Sequence, residues 1–178
     1  MVVWLIGLSG AGKTTIGKCL YQKMKAIRSN TVLLDGDKIR EVMGNDLGHS
    51  LRERKLNADR ICRFCKFLEE QEIDVVCSIL SLFPESRSWN RINYKQYFEV
   101  FIDVPLEILS ERDPKGIYSK AAKGEISNVA GLDIPFDKPV NPDLIIQNYG
   151  PNSSVNSATN EIFKLIESKR ERTKFLEI

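Results

Sequence analysis

Eight residues near the start of the chain, Gly7-Leu8-Ser9-Gly10-Ala11-Gly12-Lys13-Thr14, have the types and spacing needed to hold a phosphate. In the pattern G-x-x-x-x-G-K-[ST] the glycines let the backbone wrap so that successive amides turn inward around an anion. A helix opening inside the motif adds its positive dipole end. Lys13 is spaced to reach the β- and γ-phosphates of ATP, and the Thr14 hydroxyl to ligate Mg²⁺. Gly7, Ser9, Gly10, Ala11, Gly12 and Thr15 complete the expected ATP cradle. At average residue usage such an octapeptide arises by chance in roughly one chain in a hundred of this length. The context it needs is present too: an apolar run, Val2–Ile6, precedes it, and Ile16, Leu20, Met24 and Ile27 follow at helical spacing. The bland alternative is a tight strand-to-helix turn that holds nothing.

A second group of chemistry-bearing residues is Asp35-Gly36-Asp37, with Lys38 and Arg40 just behind it. It ends a short apolar strand, Thr31–Leu34. In small-molecule kinases this position carries the carboxylates that touch the acceptor hydroxyl and the metal, whereas an ordinary Asp-Gly-Asp is a plain turn. The Asn-Lys-x-Asp guanine-reading motif of a GTPase is missing from the sequence. Cys62-Arg63-Phe64-Cys65 has metal-like spacing, but zinc wants four ligands and no second Cys or His pair accompanies it. With Ala58, Ile61 and Leu68 these cysteines share one helical face, which reads as core packing.

Positioning such residues calls for alternating elements. Expected strands are Val2–Ile6, Thr31–Leu34, Ile73–Leu80, Phe98–Val104 and Leu144–Ile146. Expected helices follow the glycine motif and cover Leu51–Glu72, Leu106–Glu111 and Val155–Ile166, with a polar, frayed helical end from Glu167. Continuous apolar strands separated by helices imply a three-layer α/β/α fold of the P-loop NTPase type, with a parallel, doubly wound sheet. Ligands then bind at the carboxyl ends of the strands, where Gly7, Asp35, Ser78 and Asp103 fall. From Asp113 to Pro142 repeated Gly and Pro break any long element, and such a stretch inside a compact domain is usually functional.

The chain has 178 residues, 42% hydrophobic and 28% charged, with a net charge of +2. These values fit one soluble domain over residues 1–178 and argue against bulk electrostatic attraction to nucleic acid or membrane. No run approaches the ~18 apolar residues of a membrane span, and the N-terminus does not read as a signal peptide. A cytoplasmic location is the expectation.

Taken in order, the motifs resemble the adenylylsulfate kinase family, which phosphorylates the ribose 3′-hydroxyl of adenosine 5′-phosphosulfate (APS) with MgATP. The resemblance runs over about residues 2–147: the loop Gly7–Thr15, then Leu34–Arg40, Asn45-Asp46-Leu47-Gly48, Arg54 and Asn57, and Ser81. Phe98–Pro105, Arg112–Tyr118, Gly124-Glu125-Ile126, Gly131-Leu132-Asp133 and Asn141-Pro142 complete it. It implies that Asp37 accepts or orients the acceptor hydroxyl proton, with Asp35 organising that carboxylate and the metal. It further implies that Arg40, Arg54 and Asn57 bind the acceptor nucleotide, with Ser81 beside them, and that Arg112 and Lys115 close over the phosphates from a lid spanning about 112–131. Acceptor loops are expected at about 35–60 and 78–95. Family members are often dimers, which makes a homodimer an expectation by analogy.

The sequence departs from the family in the acceptor half. Two Phe rings that sandwich the acceptor adenine are replaced by His49 and Val129, losing stacking worth roughly 1–3 kcal/mol per base contact. The family's Ser-Pro-Tyr-Arg is Ser81-Leu82-Phe83-Pro84, the segment after it is rebuilt around Trp89 and Arg91, and a lid arginine is Ala122. One reading keeps APS, with His49 stacking in place of Phe. The favoured reading is a smaller base, as in the branch of the family that phosphorylates cytidine diphosphoramidate during bacterial capsule modification. A third reading, of a different class, is a nucleotide-binding regulatory protein without catalysis.

Overall fold

The computed structural model describes residues 1–176, with side chains described through position 170. Strand β1 (Val2–Ile6) is buried along its whole length because both of its faces are covered. Val3 and Leu5 point into one apolar cluster with Ile16, Leu20, Leu109 and Ile162. Val2, Trp4 and Ile6 point into another with Ile39, Ile61, Cys65 and Cys77. That period-two division of an all-apolar strand gives the sheet its central position.

Strands β2 (Thr31–Asp35), β3 (Asp74–Ile79), β4 (Tyr97–Asp103) and β5 (Leu144–Gln147) join β1 in the order β2-β3-β1-β4-β5. Every pairing is parallel. One face is covered by α1 (Lys13–Lys25), α5 (Leu106–Arg112) and α7 (Val155–Leu176), the other by α2 (Gly36–Val42), α3 (Leu51–Glu70) and α4 (Pro84–Asn93). A short α6 (Ile117–Ala122) lies in the glycine- and proline-rich segment. The expected doubly wound sheet is the one found, and its register brings Asp35 opposite Ser78.

Several local expectations change. The first helix stops at Lys25, which leaves Ile27 66% exposed instead of on the apolar face. The Asp-Gly-Asp segment is not a turn: Asp35 is the N-cap of α2, a position its side chain favours strongly. Helix α4 begins with Pro84 at its first turn. Helix α7 continues past Ile166 to Leu176 where a frayed end was expected; residues 177 and 178 lie outside the described residues. Cys62, Cys65 and Cys77 are free thiols in the second core cluster, and burial pushes the Cys62 thiol up to about 12. Among the described residues no helix is long and apolar enough to cross a membrane.

Helix α1 lies hard against β3. Gly17 is buried there, and a Cβ at this position would collide with the Ser78 hydroxyl, which donates to the Lys13 carbonyl (3.2 Å). Alanine would gain about 1 kcal/mol in helix propensity, so the glycine is kept for clearance. Gly17→Ala is therefore expected to cost about 1–3 kcal/mol, lowering Tm by about 2–12 °C. Adding Ser78→Ala, which removes the colliding oxygen, should recover most of the loss. A thermal melt of the single and double variants checks both, and a single variant as stable as the parent would refute the clearance argument.

Candidate active site

Glycine and helix dictate the geometry of the loop after β1. Gly12, the N-cap of α1, adopts φ 97°, and a Cβ there would lie 2.5 Å from the Asn148 amide nitrogen. That amide donates instead to the Ala11 carbonyl (2.8 Å), tying the segment after β5 to the loop. The Lys13 ammonium donates to the Leu8 carbonyl (2.7 Å). Burial, and then the charge of Lys115, bring its pKa down to about 8 against the opposing pull of Asp37 and Asp35. Tyr118, from α6, donates its hydroxyl to the Ser9 carbonyl (2.9 Å), so the lid segment rests on the loop. Gly7 packs against β4 and Ala11 is buried in the core, so both shape the loop from behind.

The loop opens on a cavity of about 670 Å³. Ser9, Gly10, Gly12, Lys13, Thr14 and Thr15 form one end of it, with Asp35 and Asp37 alongside. The Thr14 hydroxyl donates to the Asp35 carboxylate (2.6 Å), whose other oxygen accepts from the Asp37 amide (3.0 Å). One side chain thus ends β2, caps α2 and touches the phosphate loop. Asp37 stands exposed at the start of α2 and is paired with Lys115 from the lid. Partial burial would raise the Asp37 carboxyl, but the hydrogen bond and charge of Lys115, helped by Lys13 and Arg40, hold it below the usual carboxylate range.

Arg40, His49, Arg54, Asn57, Ser81, Lys115 and Val129 line the same cavity, so all the residues expected around an acceptor are brought together. Their local contacts differ. Arg40 donates to the carbonyls of Leu47 and Gly48 (3.0 Å each) and so organises the loop before α3. Arg54 donates to the His49 carbonyl (2.9 Å) and to the Asn128 carbonyl (2.7 Å). Its guanidinium therefore bridges the two segments in which the family carries its rings. His49 is largely exposed, and the partial loss of water around its ring, with the charges of Arg54 and Arg40, lowers its pKa and so favours the neutral imidazole. Asn57 is 6% exposed and its amide oxygen has no partner. The amide oxygen is closed off from the cavity, so it is one of the few buried polar atoms left unpaired.

Two positions depart from the expected picture. Val129 is 5% exposed and packs into the first core cluster with Tyr118, so it fills space beneath the lid and presents little face to the cavity. Arg112 does not line the cavity; it donates to the Asn148 carbonyl (2.9 Å) beside the outer wall of the phosphate loop. Trp89 and Arg91 also lie away from it. Trp89 packs edge-on against Tyr94, and Arg91 pairs with buried Glu99 (3.0 Å). Residues not anticipated as site residues that do line it include Phe83, Lys120, Ile126 and Asn128. The spacing of Lys120 in the lid helix was a usable signal for the second of these. Five cationic side chains (Lys13, Arg40, Arg54, Lys115 and Lys120) face two carboxylates (Asp35 and Asp37), which suits polyanionic ligands.

A parallel sheet with a glycine phosphate loop, opening on one cavity lined by carboxylates and by cations of the 112–131 segment, defines a P-loop phosphotransferase acting on a hydroxyl. Residues 1–147 match the family model for adenylylsulphate kinase, and the chain belongs to that family. It is 43% identical over 150 residues to a cytidine diphosphoramidate kinase of Campylobacter jejuni, covering 83% of this chain and 85% of that one. It is 39% identical over 149 residues to an adenylyl-sulfate kinase of Clostridium acetobutylicum, covering 83% and 74%. Among solved structures, an APS kinase of Mycobacterium tuberculosis in complex with AMPPNP and APS superposes with a TM-score of 0.82 at 34% identity, over 93% of this chain and 96% of that one.

Proposed function

We propose that this protein transfers the γ-phosphoryl group of ATP to the ribose 3′-hydroxyl of a 5′-modified nucleotide, with cytidine diphosphoramidate as the favoured acceptor. The observation that carries the acceptor choice is the wall at positions 49 and 129. The resemblance assigns the family's adenine sandwich to these two positions, which here carry an exposed imidazole and a buried valine, and the 43% identical relative is a cytidine diphosphoramidate kinase.

Phosphoryl transfer needs positioning and charge neutralisation more than covalent help. Lys13 meets the β- and γ-phosphates from within the loop, and Lys115 and Lys120 meet the transferring group from the lid. Asp37 takes the proton of the attacking hydroxyl, released from Lys115 as that ammonium turns to phosphate oxygens. Arg40, Arg54 and Asn57 hold the acceptor's 5′ group and ribose, and Arg112 flanks the donor nucleotide outside the cavity. The Thr14 hydroxyl and Asp35 carboxylate are hard oxygen donors 2.6 Å apart at the loop's edge. Such a pair fits Mg²⁺, which usually takes one or two protein oxygens and completes its shell with phosphate and water. When bound there it would neutralise charge on the β- and γ-phosphates.

A second reading, APS as the acceptor, is favoured by the 39% identical adenylyl-sulfate kinase and by the superposition on an enzyme that holds APS. Coupled ADP release with each acceptor separates the two: cytidine diphosphoramidate should give the higher kcat/KM by at least tenfold. Higher kcat/KM with APS would overturn the pyrimidine assignment. His49→Phe, which restores a ring at the exposed position, should raise residual APS activity by roughly 5- to 150-fold if that ring contributes as a stacked base contact does. A protein inert towards both acceptors, yet binding ATP, would return the regulatory alternative.

A further inference from the structure

The cavity has a cationic end and an apolar one. The apolar wall comes from two places: Leu80, Leu82 and Phe83 after β3, and Ile126, Val129 and Ala130 from the lid segment. These two stretches touch, because Leu82 and Ala130 share a small buried cluster against which Leu80 and Phe83 pack. Leu82 and Ala130 are each 7% exposed, whereas Phe83 is half-buried and keeps open ring surface. It contributes the one benzene ring among the lining residues. Lys55, which does not line the cavity, sets its ammonium 5.7 Å from the ring centroid.

The backbone that presents this ring is held in an unusual shape. Ser81 has φ 54°, a left-handed conformation that costs a non-glycine residue of order 1–3 kcal/mol. Two buried partners maintain it. The Trp4 indole donates to the Ser81 hydroxyl (3.1 Å), and the Arg87 guanidinium donates to the Ser81 carbonyl (2.8 Å). Neither contact serves the phosphates. Both fix the direction in which the chain leaves β3, and so where Phe83 stands before α4 begins.

We infer that Phe83 is the base platform of the acceptor pocket: the ring on which the acceptor's base stacks, and a specificity-determining residue that takes over from the rings absent at 49 and 129. Of the three parts of an acceptor nucleotide, the charged 5′ group matches the arginines and the ribose hydroxyl matches Asp37, which leaves the base for the apolar wall. A single ring accepts any base, since every base has a π-face. Discrimination then falls to polar groups at the base edge, where the His49 imidazole lines the same cavity. This assignment rests on the proposed function only in taking the cavity's second ligand to be a nucleotide.

The test is a titration of the full chain, saturated with a non-hydrolysable ATP analogue, with cytidine 5′-monophosphate and adenosine 5′-monophosphate. Phe83→Leu should weaken binding of the nucleotide by about 5- to 150-fold, the range of a stacked base–aromatic contact. Phe83→Tyr and Phe83→Trp should stay within about threefold of the parent, below that range, and the tryptophan variant should show fluorescence quenching on binding. A melt of each variant confirms folding. Equal affinity of Phe83→Leu and the parent overturns the platform, as does equal weakening in the leucine and tryptophan variants, which would mark a packing role. A parent that binds the nucleotides through Phe83 yet phosphorylates neither cytidine diphosphoramidate nor APS would sink the proposed reaction and leave the platform standing. A parent that binds neither nucleotide would sink both.

Discussion

Asp37→Asn is expected to lower kcat by about 10²- to 10⁴-fold while ATP affinity stays within a few-fold. The carboxylate sits at the first turn of α2, where Asp35 holds the backbone, and it faces Lys13, Arg40 and Lys115. Asparagine keeps the size and the hydrogen-bond acceptor but cannot take a proton, so the loss falls on the chemical step. The pH dependence has a definite sign. Because the folded-state value is depressed below 3.8, the ionised form is present above it and is lost only as pH falls through that lower value. Asp37 therefore gives no acid limb in kcat/KM, which reports the free enzyme, near neutral pH. Steady-state kinetics of the asparagine variant across pH checks both points; wild-type kcat in that variant would move proton acceptance to another group.

Lys13→Met carries the second large effect, a fall of about 10²- to 10³-fold in kcat, the usual cost of removing one preorganised charge from a developing anion. Its pH behaviour runs in the opposite direction to that of Asp37. The free protein holds the Lys13 ammonium at a pKa of about 8, below the usual lysine value of 10.5. A bound triphosphate favours the charged form and raises that value again. Between about 8 and 10.5, then, ATP binding takes up a proton, and affinity falls by up to tenfold per pH unit as pH rises. Calorimetry at pH 8.5 in two buffers of different ionisation enthalpy reads the uptake directly. Proton uptake that persists in the methionine variant would assign it elsewhere.

Much of the fold is written in the sequence because its signals are local. An apolar run, a glycine loop and a 3.6-residue period identify β1 and α1, and the same logic finds β2, α3, β3 and β4. What stayed hidden was short or lacked periodicity. Helix α2 has seven residues and one buried side chain, Ile39, so its pattern is too brief to read; its signal was the capping power of Asp35. Helix α4 announced itself only by Pro84 and Glu85 in its first turn. At the site, most motif positions led to the cavity, while Gly7 and Ala11 shape the phosphate loop from behind. Arg112 did not follow, because whether an exposed lid side chain faces inward depends on Asn148, thirty-six positions away. Phe83 was unreadable for a similar reason: the left-handed turn at Ser81 is a property of Trp4 and Arg87, not of serine.

The triple engagement of Asp35 bears on how such an enzyme can diverge. A residue that terminates a strand, caps a helix and meets the phosphate loop offers no substitution that alters one role and spares the other two. The donor half is therefore frozen by shared duty, like a keystone common to several arches. The exposed side chain at 49 carries no such joint obligation, and its exchange disturbs no buried packing. A single change at such an exposed position is thus expected to touch the acceptor side alone and to leave the strand end, the helix cap and the phosphate loop as they are.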